Sequence, residues 1–403
     1  MPPLRIVHYP EPVLLTVGKP VSEEEFGEDL LKTVNDMFAT MYSTQAILPE
    51  LSRSFDVSPS GAGLSVSVVV LAVAVGAWAW GPISDRVGRP RAIRAASLLL
   101  VPPTIGVALA PTFPVLLACR GLQGICMPGL LVVGAPYVVE AFVPRVGARA
   151  MGWYVAALVA GGLVGRVGVA LAAGLVGWRV AIGALAVLPA AAAFSMRRGL
   201  PELAPPRRSA SAFRTLVRAP LVGVVLAGGE LFYTFVGTFT FVTYRLEGAP
   251  FELDPEVASL VFLLWVAGGV GPFWGRLAGR HGWRRVVAGA VGGSAVGVAL
   301  TLSDAFWLVV VGLAAVAAAM FAGYTATQLG VGDVARLDRG TASALYFSAY
   351  YGAGALGAYL PGLAWEAWGW DGVVVTGLCA LLVACAGLLL SGRHRSQGRT
   401  LSQ

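Results

Sequence analysis

Gly81-Pro82-Ile83-Ser84-Asp85-Arg86-Val87-Gly88-Arg89-Pro90-Arg91 separates two long apolar runs. Gly81 and Gly88 bracket a tight connection, since glycine accepts backbone angles that other residues avoid. Between and after them stand one acid and three arginines. With its apolar flanks the stretch reads as a cytoplasmic loop joining two membrane helices. The rest of the chain agrees. Of 403 residues, 57% are hydrophobic and 13% charged, and the mean hydropathy is +0.74. Soluble domains carry about 25% charged residues, so the composition is that of a membrane protein.

The net charge of +7 needs no nucleic-acid partner, because membrane chains concentrate basic residues in cytoplasmic loops. Cys119, Cys126, Cys379 and Cys385 all lie in apolar runs and read as free packing thiols. His8, His281 and His394 are scattered and no H-E-x-x-H occurs, so neither a metal site nor a cofactor is expected. No signal peptide is expected, because prolines and charges break the first 36 residues.

Apolar runs of about 20 residues predict membrane spans at 61–84, 92–111, 113–139, 150–176, 179–196, 221–244, 256–278, 286–302, 306–331, 341–365 and 370–391. A first span is shorter. Met37 to Leu51 supplies 15 mostly apolar residues, too few to cross about 30 Å at about 1.5 Å per residue. Extension back to about Leu30 would hold Asp29, Lys32 and Asp36 at the interface by snorkelling.

Loop charges set the orientation. Alternate loops and the C-terminal tail hold 21 arginines, while the intervening loops hold only Arg53, Arg179 and Arg245. Both termini are therefore expected in the cytoplasm, and the number of crossings is even, so twelve. The expected fold is an all-α membrane protein, with twelve transmembrane helices in two pseudo-symmetric six-helix bundles and the first helix shortened. Residues 1–36 form a leader, 37–196 the first bundle, 197–219 a Pro- and Arg-rich cytoplasmic linker, 220–391 the second bundle and 392–403 a basic cytoplasmic tail.

The bundles read as repeats. Trp80, Gly81, Arg86, Gly88 and Arg91 recur 194 positions later as Trp274, Gly275, Arg280, Gly282 and Arg285. At an offset of 192, Tyr154, Gly162, Gly165, Gly177 and Trp178 are among the residues matched, by Tyr346, Gly354, Gly357, Gly369 and Trp370.

The opening loop resembles G-x-L-A-D-R-x-G-R-R-x, the loop signature of the major facilitator superfamily. It matches at Gly81, Asp85, Arg86, Gly88, Arg89 and Arg91, and departs at Pro90. Leu116, Arg120, Gln123 and Gly124 resemble that superfamily's L-x-x-x-R-x-x-Q-G motif in the fourth span. The resemblance covers about residues 42–395. It implies a secondary transporter working by alternating access, with its substrate site between the bundles. It also implies a cytoplasmic gate in which Asp85 faces the helix start near Thr341 and Arg89 pairs with Glu140, with Arg86 beside them. Tyr42 to Pro49, Gly165-Arg166 and Gly177-Trp178-Arg179 look like bacterial efflux-type members. Where the antiporter motif G-x-x-x-G-P of the fifth span has proline, this chain has Arg166.

Three ionisable residues fall at membrane depth. An unpaired arginine there costs at least about 2.5 kcal/mol, so Arg120 must face the bundle interior. It reads equally as a proton-coupling or anion contact, with Gln123 beside it, and as a fixed hydrogen-bond hub. Arg166 is a substrate-site candidate. Glu230 is the one clearly intramembrane acid, able either to exchange a proton during transport or to salt-bridge Arg120 or Arg166. Gln45, Tyr233, Gln328, Tyr346 and Tyr350 are candidates for cavity lining.

The implied partners are a small-molecule substrate, protons as the coupling ion and the lipid bilayer, with the chain acting as a monomer in the bacterial inner membrane. No ATP-binding loop is present, so an ion gradient is the expected energy source. Two alternatives stand beside proton-coupled efflux. One is a transport-impaired protein whose first helix is truncated. The other starts from the leader, where Ile6 to Leu14, Lys19-Pro20-Val21 and Asp29 to Tyr42 resemble the start of peptide deformylases. The G-x-G-L-A-A-P-Q, E-G-C-L-S and H-E-x-D-H stretches of that family are absent, which argues against its chemistry.

Overall fold

The structure is a computed structural model and describes residues 39–141, 160–196, 219–334 and 339–391. The leader, most of the linker and the tail lie outside the described residues. Every regular element described is helical. A short 3₁₀ turn, Gln45–Ile47, leads into α1 (Leu48–Phe55), α2 (Pro59–Val87), α3 (Arg89–Ala108), α4 (Phe113–Cys126) and α5 (Pro128–Ala141). A π-helical turn, Val164–Gly168, precedes α6 (Val169–Val176), α7 (Trp178–Ala184) and α8 (Val187–Ser195). The second half comprises α9 (Ala219–Glu247), α10 (Pro255–Ser259), a 3₁₀ stretch Leu260–Val270, α11 (Gly271–His281), α12 (Trp283–Leu300), α13 (Phe306–Val334), α14 (Arg339–Gly357) and α15 (Leu360–Leu390). Segments that follow without a loop or a glycine break join into rods, which number twelve among the described residues.

Among the described residues, six helical stretches are long and apolar enough to cross a membrane: Pro59–Ser84, Arg89–Ala108, Phe113–Gly134, Ala219–Glu247, Phe306–Val334 and Leu345–Leu390. Shorter apolar helices occur at Ala160–Val176, Trp178–Phe194 and Pro255–Val266. The 46-residue stretch is two rods, because Gly369 leaves helical geometry inside it.

Four glycines carry the repeat into three dimensions. Gly88 (φ 90°, ψ 143°) and Gly282 (φ 83°, ψ 140°) make the same sharp break between consecutive rods. Gly177 (φ 81°) and Gly369 (φ 58°) do so at the second matched pair. A β-carbon is disfavoured at such angles, so glycine is the residue that can turn the chain there.

The first rod departs from a simple short helix. Residues 39–41 are helical, a turn follows at 42–44, and the 3₁₀ turn then leads into α1. Met41, Tyr42, Ile47, Leu48 and Leu51 are nonetheless buried in the main core. α2 runs along α14, where Ser67 donates to the Ala355 carbonyl (2.6 Å) and Trp78 Nε1 to Ser348 Oγ (2.7 Å).

Candidate functional site

The two intramembrane arginines lie in different surroundings. Arg120, on α4, is fully buried. Its Nε donates to the Ser65 carbonyl (2.8 Å), its Nη1 to the Thr40 carbonyl (2.9 Å) and Gln123 Oε1 (2.8 Å), and its Nη2 to the Met41 carbonyl (2.5 Å). Gln123 in turn donates to Thr104 Oγ1 (2.9 Å), and Ser65 Oγ to Thr44 Oγ1 (3.1 Å). The turn at 42–44 breaks the first rod's own ladder near the Thr40 and Met41 carbonyls. Arg120 supplies donors at that break, as a buried carbonyl requires. The geometry thus builds the hydrogen-bond hub, tying together the first four rods.

Arg166 sits in the π-turn and is 1% exposed. Its Nε donates to Gln45 Oε1 (2.7 Å) and its Nη1 to the Gly162 carbonyl (2.7 Å). Nη2 is buried with no hydrogen-bond partner. The guanidinium carbon lies 4.0 Å from the Tyr42 ring centroid, 3.6 Å from Trp265 and 5.5 Å from Phe262. Cation–π attraction of about 2 kcal/mol or more in desolvated surroundings offsets part of its burial. Tyr42 and Arg166 belong to the first bundle, Trp265 and Phe262 to the second, so the box spans the seam between them. Gln45 spans it too, since its Nε2 donates to Thr240 Oγ1 of α9 (2.9 Å). Close backbone approach brings Arg166 there: a β-carbon on Gly165 would collide with the Ala39 backbone.

Aromatic rings continue from this box into the second bundle. Trp265 packs on Phe235 (4.5 Å between centroids), Phe235 lies 6.4 Å from Phe232, and Phe232 stacks on Tyr350 at 4.0 Å and 11°. Tyr346 stacks beside Tyr350 and its hydroxyl meets Thr327 Oγ1 (2.7 Å). These rings fill a column, and Gln328 sits half-buried beside the Tyr324 hydroxyl, away from Arg166. Tyr233 is buried on α9 near Thr376.

Glu230 is half-buried on α9, in the neighbourhood of Tyr233. It forms no salt bridge with Arg120 or Arg166, whose described partners are carbonyls, amides and rings. Of the gate residues, Arg86 is exposed in the last turn of α2 and Arg89 opens α3. The side chains of Asp85, Glu140 and Thr341 lie outside the described residues.

At the Arg53 end of the rods the halves also meet. Ser52 Oγ and Tyr244 OH are 2.6 Å apart, Arg53 and Glu247 3.6 Å, and the Ser60 amide donates to Glu366 (3.0 Å). A cavity of about 200 Å³ lies here, walled by Ala46, Ala170, Ala173, Glu50, Glu247 and Glu256 among others.

Two helical halves joined by a polar and aromatic seam define a membrane-transporter architecture. The Major Facilitator Superfamily model matches residues 33–271 and 248–403, and the chain belongs to that superfamily. "Uncharacterized MFS-type transporter YybF" of Bacillus subtilis is 28% identical over 364 residues, covering 88% of this chain and 89% of the relative. "Inner membrane transport protein YnfM" of Escherichia coli is 29% identical over 367 residues, 89% and 88% of the two chains. The fold is that of a bacterial homologue of the human lysosomal transporter Spinster (TM-score 0.72, 16% identity, 91% and 95% of the two chains). It is also that of the nucleoside transporter NupG (TM-score 0.73, 12% identity, 90% and 98%). The protein is a membrane transporter of this superfamily.

Thr240, Tyr42 and Phe262 carry seam contacts that motif reading does not single out. Their one sequence signal is polarity or aromaticity inside an apolar run, which packing residues share.

Proposed function

We propose that the chain exports a small molecule across the bacterial inner membrane by alternating access, driven by protons entering the cell. The observation that carries this reading is the Arg166–Gln45–Thr240 bridge, which joins the two halves at membrane depth. A link of this kind must break and reform as one half rocks on the other. Export is favoured by the resemblance of Tyr42–Pro49 and Gly165-Arg166 to efflux-type members. The inner-membrane location is favoured by the name of the Escherichia coli relative. Both termini are cytoplasmic, the two bundles are residues 37–196 and 220–391, and the chain works as a monomer without chemical conversion or cofactor. Asp85, Arg86, Arg89 and Glu140 form its cytoplasmic gate.

Glu230 is the proton carrier in this reading. It lies in a membrane-crossing helix, and among the described residues no cation pins its carboxylate. Purified protein in liposomes with an imposed pH gradient tests the proposal against a substrate panel. Movement should stop when the gradient is collapsed. Full gradient-driven movement in Glu230→Gln would remove Glu230 from the mechanism, and gradient-independent movement would remove proton coupling.

A further inference from the structure

We propose that Arg166 and Trp265 form a receptor for a single carboxylate carried on an otherwise apolar or aromatic molecule. This rests on the reading of the seam as the substrate site and names its substrate class. Two buried hydrogen-bond donors there have no partner: Arg166 Nη2 and Trp265 Nε1. They belong to side chains stacked on one another, with the guanidinium carbon 3.6 Å from the ring centroid. A buried donor without an acceptor is costly, and two on adjoining side chains mark a place where an acceptor group belongs.

The acceptor must be an anion. The residues in contact with Arg166 are Gln45, the Gly162 carbonyl, Tyr42, Trp265 and Phe262, and none of them is an acid. Among the described residues this positive charge has no counter-charge beside it, and one negative charge would balance it. Three rings lie within 5.5 Å of the guanidinium carbon, and the donor left unmet, Nη2, is on the edge of the fork, so an acceptor would meet it there. Edge-on hydrogen bonding to a planar fork is how arginine receives a carboxylate. The surroundings specify the remainder of the molecule. Beyond the guanidinium, Trp265 abuts Phe235, Phe239 and Phe321, so the wall that continues from the cation is aromatic. A second ionised group would be desolvated there without compensation.

The π-turn contributes independently. Single π-turns recur at functional sites because the extra residue re-aims side chains. Here the turn spans Val164–Gly168 and holds Arg166 at its centre. Gln45 gives binding a mechanical outlet. A carboxylate oxygen arriving at the Nε–Nη2 edge competes with Gln45 Oε1, and Gln45 is the residue that also holds Thr240 across the seam.

Matched acids and amides test this on the full-length protein. Benzoate and phenylacetate, with benzamide and phenylacetamide as neutral isosteres, are titrated by calorimetry and by tryptophan fluorescence. Each acid should bind about tenfold or more tightly than its own amide, which brings one acceptor oxygen and no charge where the acid brings two oxygens and a charge. Arg166→Gln should abolish that preference and Arg166→Lys retain part of it. The comparison within the unmodified protein needs no variant to fold. Equal affinity for acid and amide, absence of binding by all four probes, or an undiminished preference in Arg166→Gln would overturn the receptor. Liposome transport separates this failure from that of the underlying reading. Gradient-driven movement of neutral or cationic compounds without carboxylate preference rejects the receptor alone. Carboxylate binding without movement of any compound rejects export and keeps the receptor.

Discussion

Arg120 and Arg166 make a controlled comparison inside one molecule. Both lie in the first bundle at membrane depth, and both are essentially excluded from solvent. Arg120 spends its donors on three backbone carbonyls and an amide oxygen, and so repairs a broken helix. Arg166 keeps one nitrogen unbonded between aromatic rings contributed by both halves. Burial and charge are the same, but the partners differ. The difference teaches that an intramembrane arginine is assigned by counting its satisfied donors. A guanidinium whose donors are met by backbone holds structure, and one left incomplete at the seam has capacity for a ligand.

Arg120→Ala is the most severe way to probe that contrast. It removes four buried hydrogen bonds and leaves the Met41 carbonyl and Gln123 Oε1 without that donor, at about 1–3 kcal/mol each, for a total loss above about 3 kcal/mol. The melting temperature of purified protein should fall steeply, or the protein should fail to express. Arg166→Gln should behave oppositely, with transport falling by about tenfold or more while stability changes by less than about 1.5 kcal/mol. Equal melting losses in the two variants would erase the distinction. Gly282→Ala comes next, since it places a β-carbon at φ 83°, and should cost about 1–2 kcal/mol in the melt. Gly88→Ala should cost the same, because the two sites share their dihedrals. The smallest effect belongs to Arg53→Ala. Its 3.6 Å contact with Glu247 is made by an exposed side chain and should contribute about 0–1 kcal/mol, diminishing with salt.

Much of the fold was legible because membrane helices obey simple rules. Long apolar runs mark rods, and Gly88, Gly282, Gly177 and Gly369 mark the sharp breaks. Arg120 was legible as a buried residue because an unpaired arginine at membrane depth is costly, while its role as hub or as coupling contact stayed open until its partners were placed. The hub's backbone acceptors were hidden, since Thr40 and Met41 lie where the first rod breaks at 42–44 and Ser65 offers the second lone pair of a carbonyl inside α2. The aromatic box was hidden for a different reason. Tyr42, Arg166 and Trp265 are far apart along the chain and come together only when both halves fold and dock. Glu230 shows the converse limit. Its depth was readable, but the helix face it occupies, away from both arginines, depends on how α9 is rotated against its neighbours.

The π-turn at Val164–Gly168 also works as a phase shift. One additional residue in a helix turns everything beyond it by about 100° relative to an uninterrupted α-helix. Arg166 looks toward the seam while Ala170, Ala173 and Gly174 line the chamber near Glu256, and the added residue sets the angle between those two aspects. Deleting one residue from the turn would put the rod back in register and swing one aspect out of alignment with the other. The number of residues in the fifth rod is therefore constrained, along with Gly165 and Gly174, because both aspects depend on it.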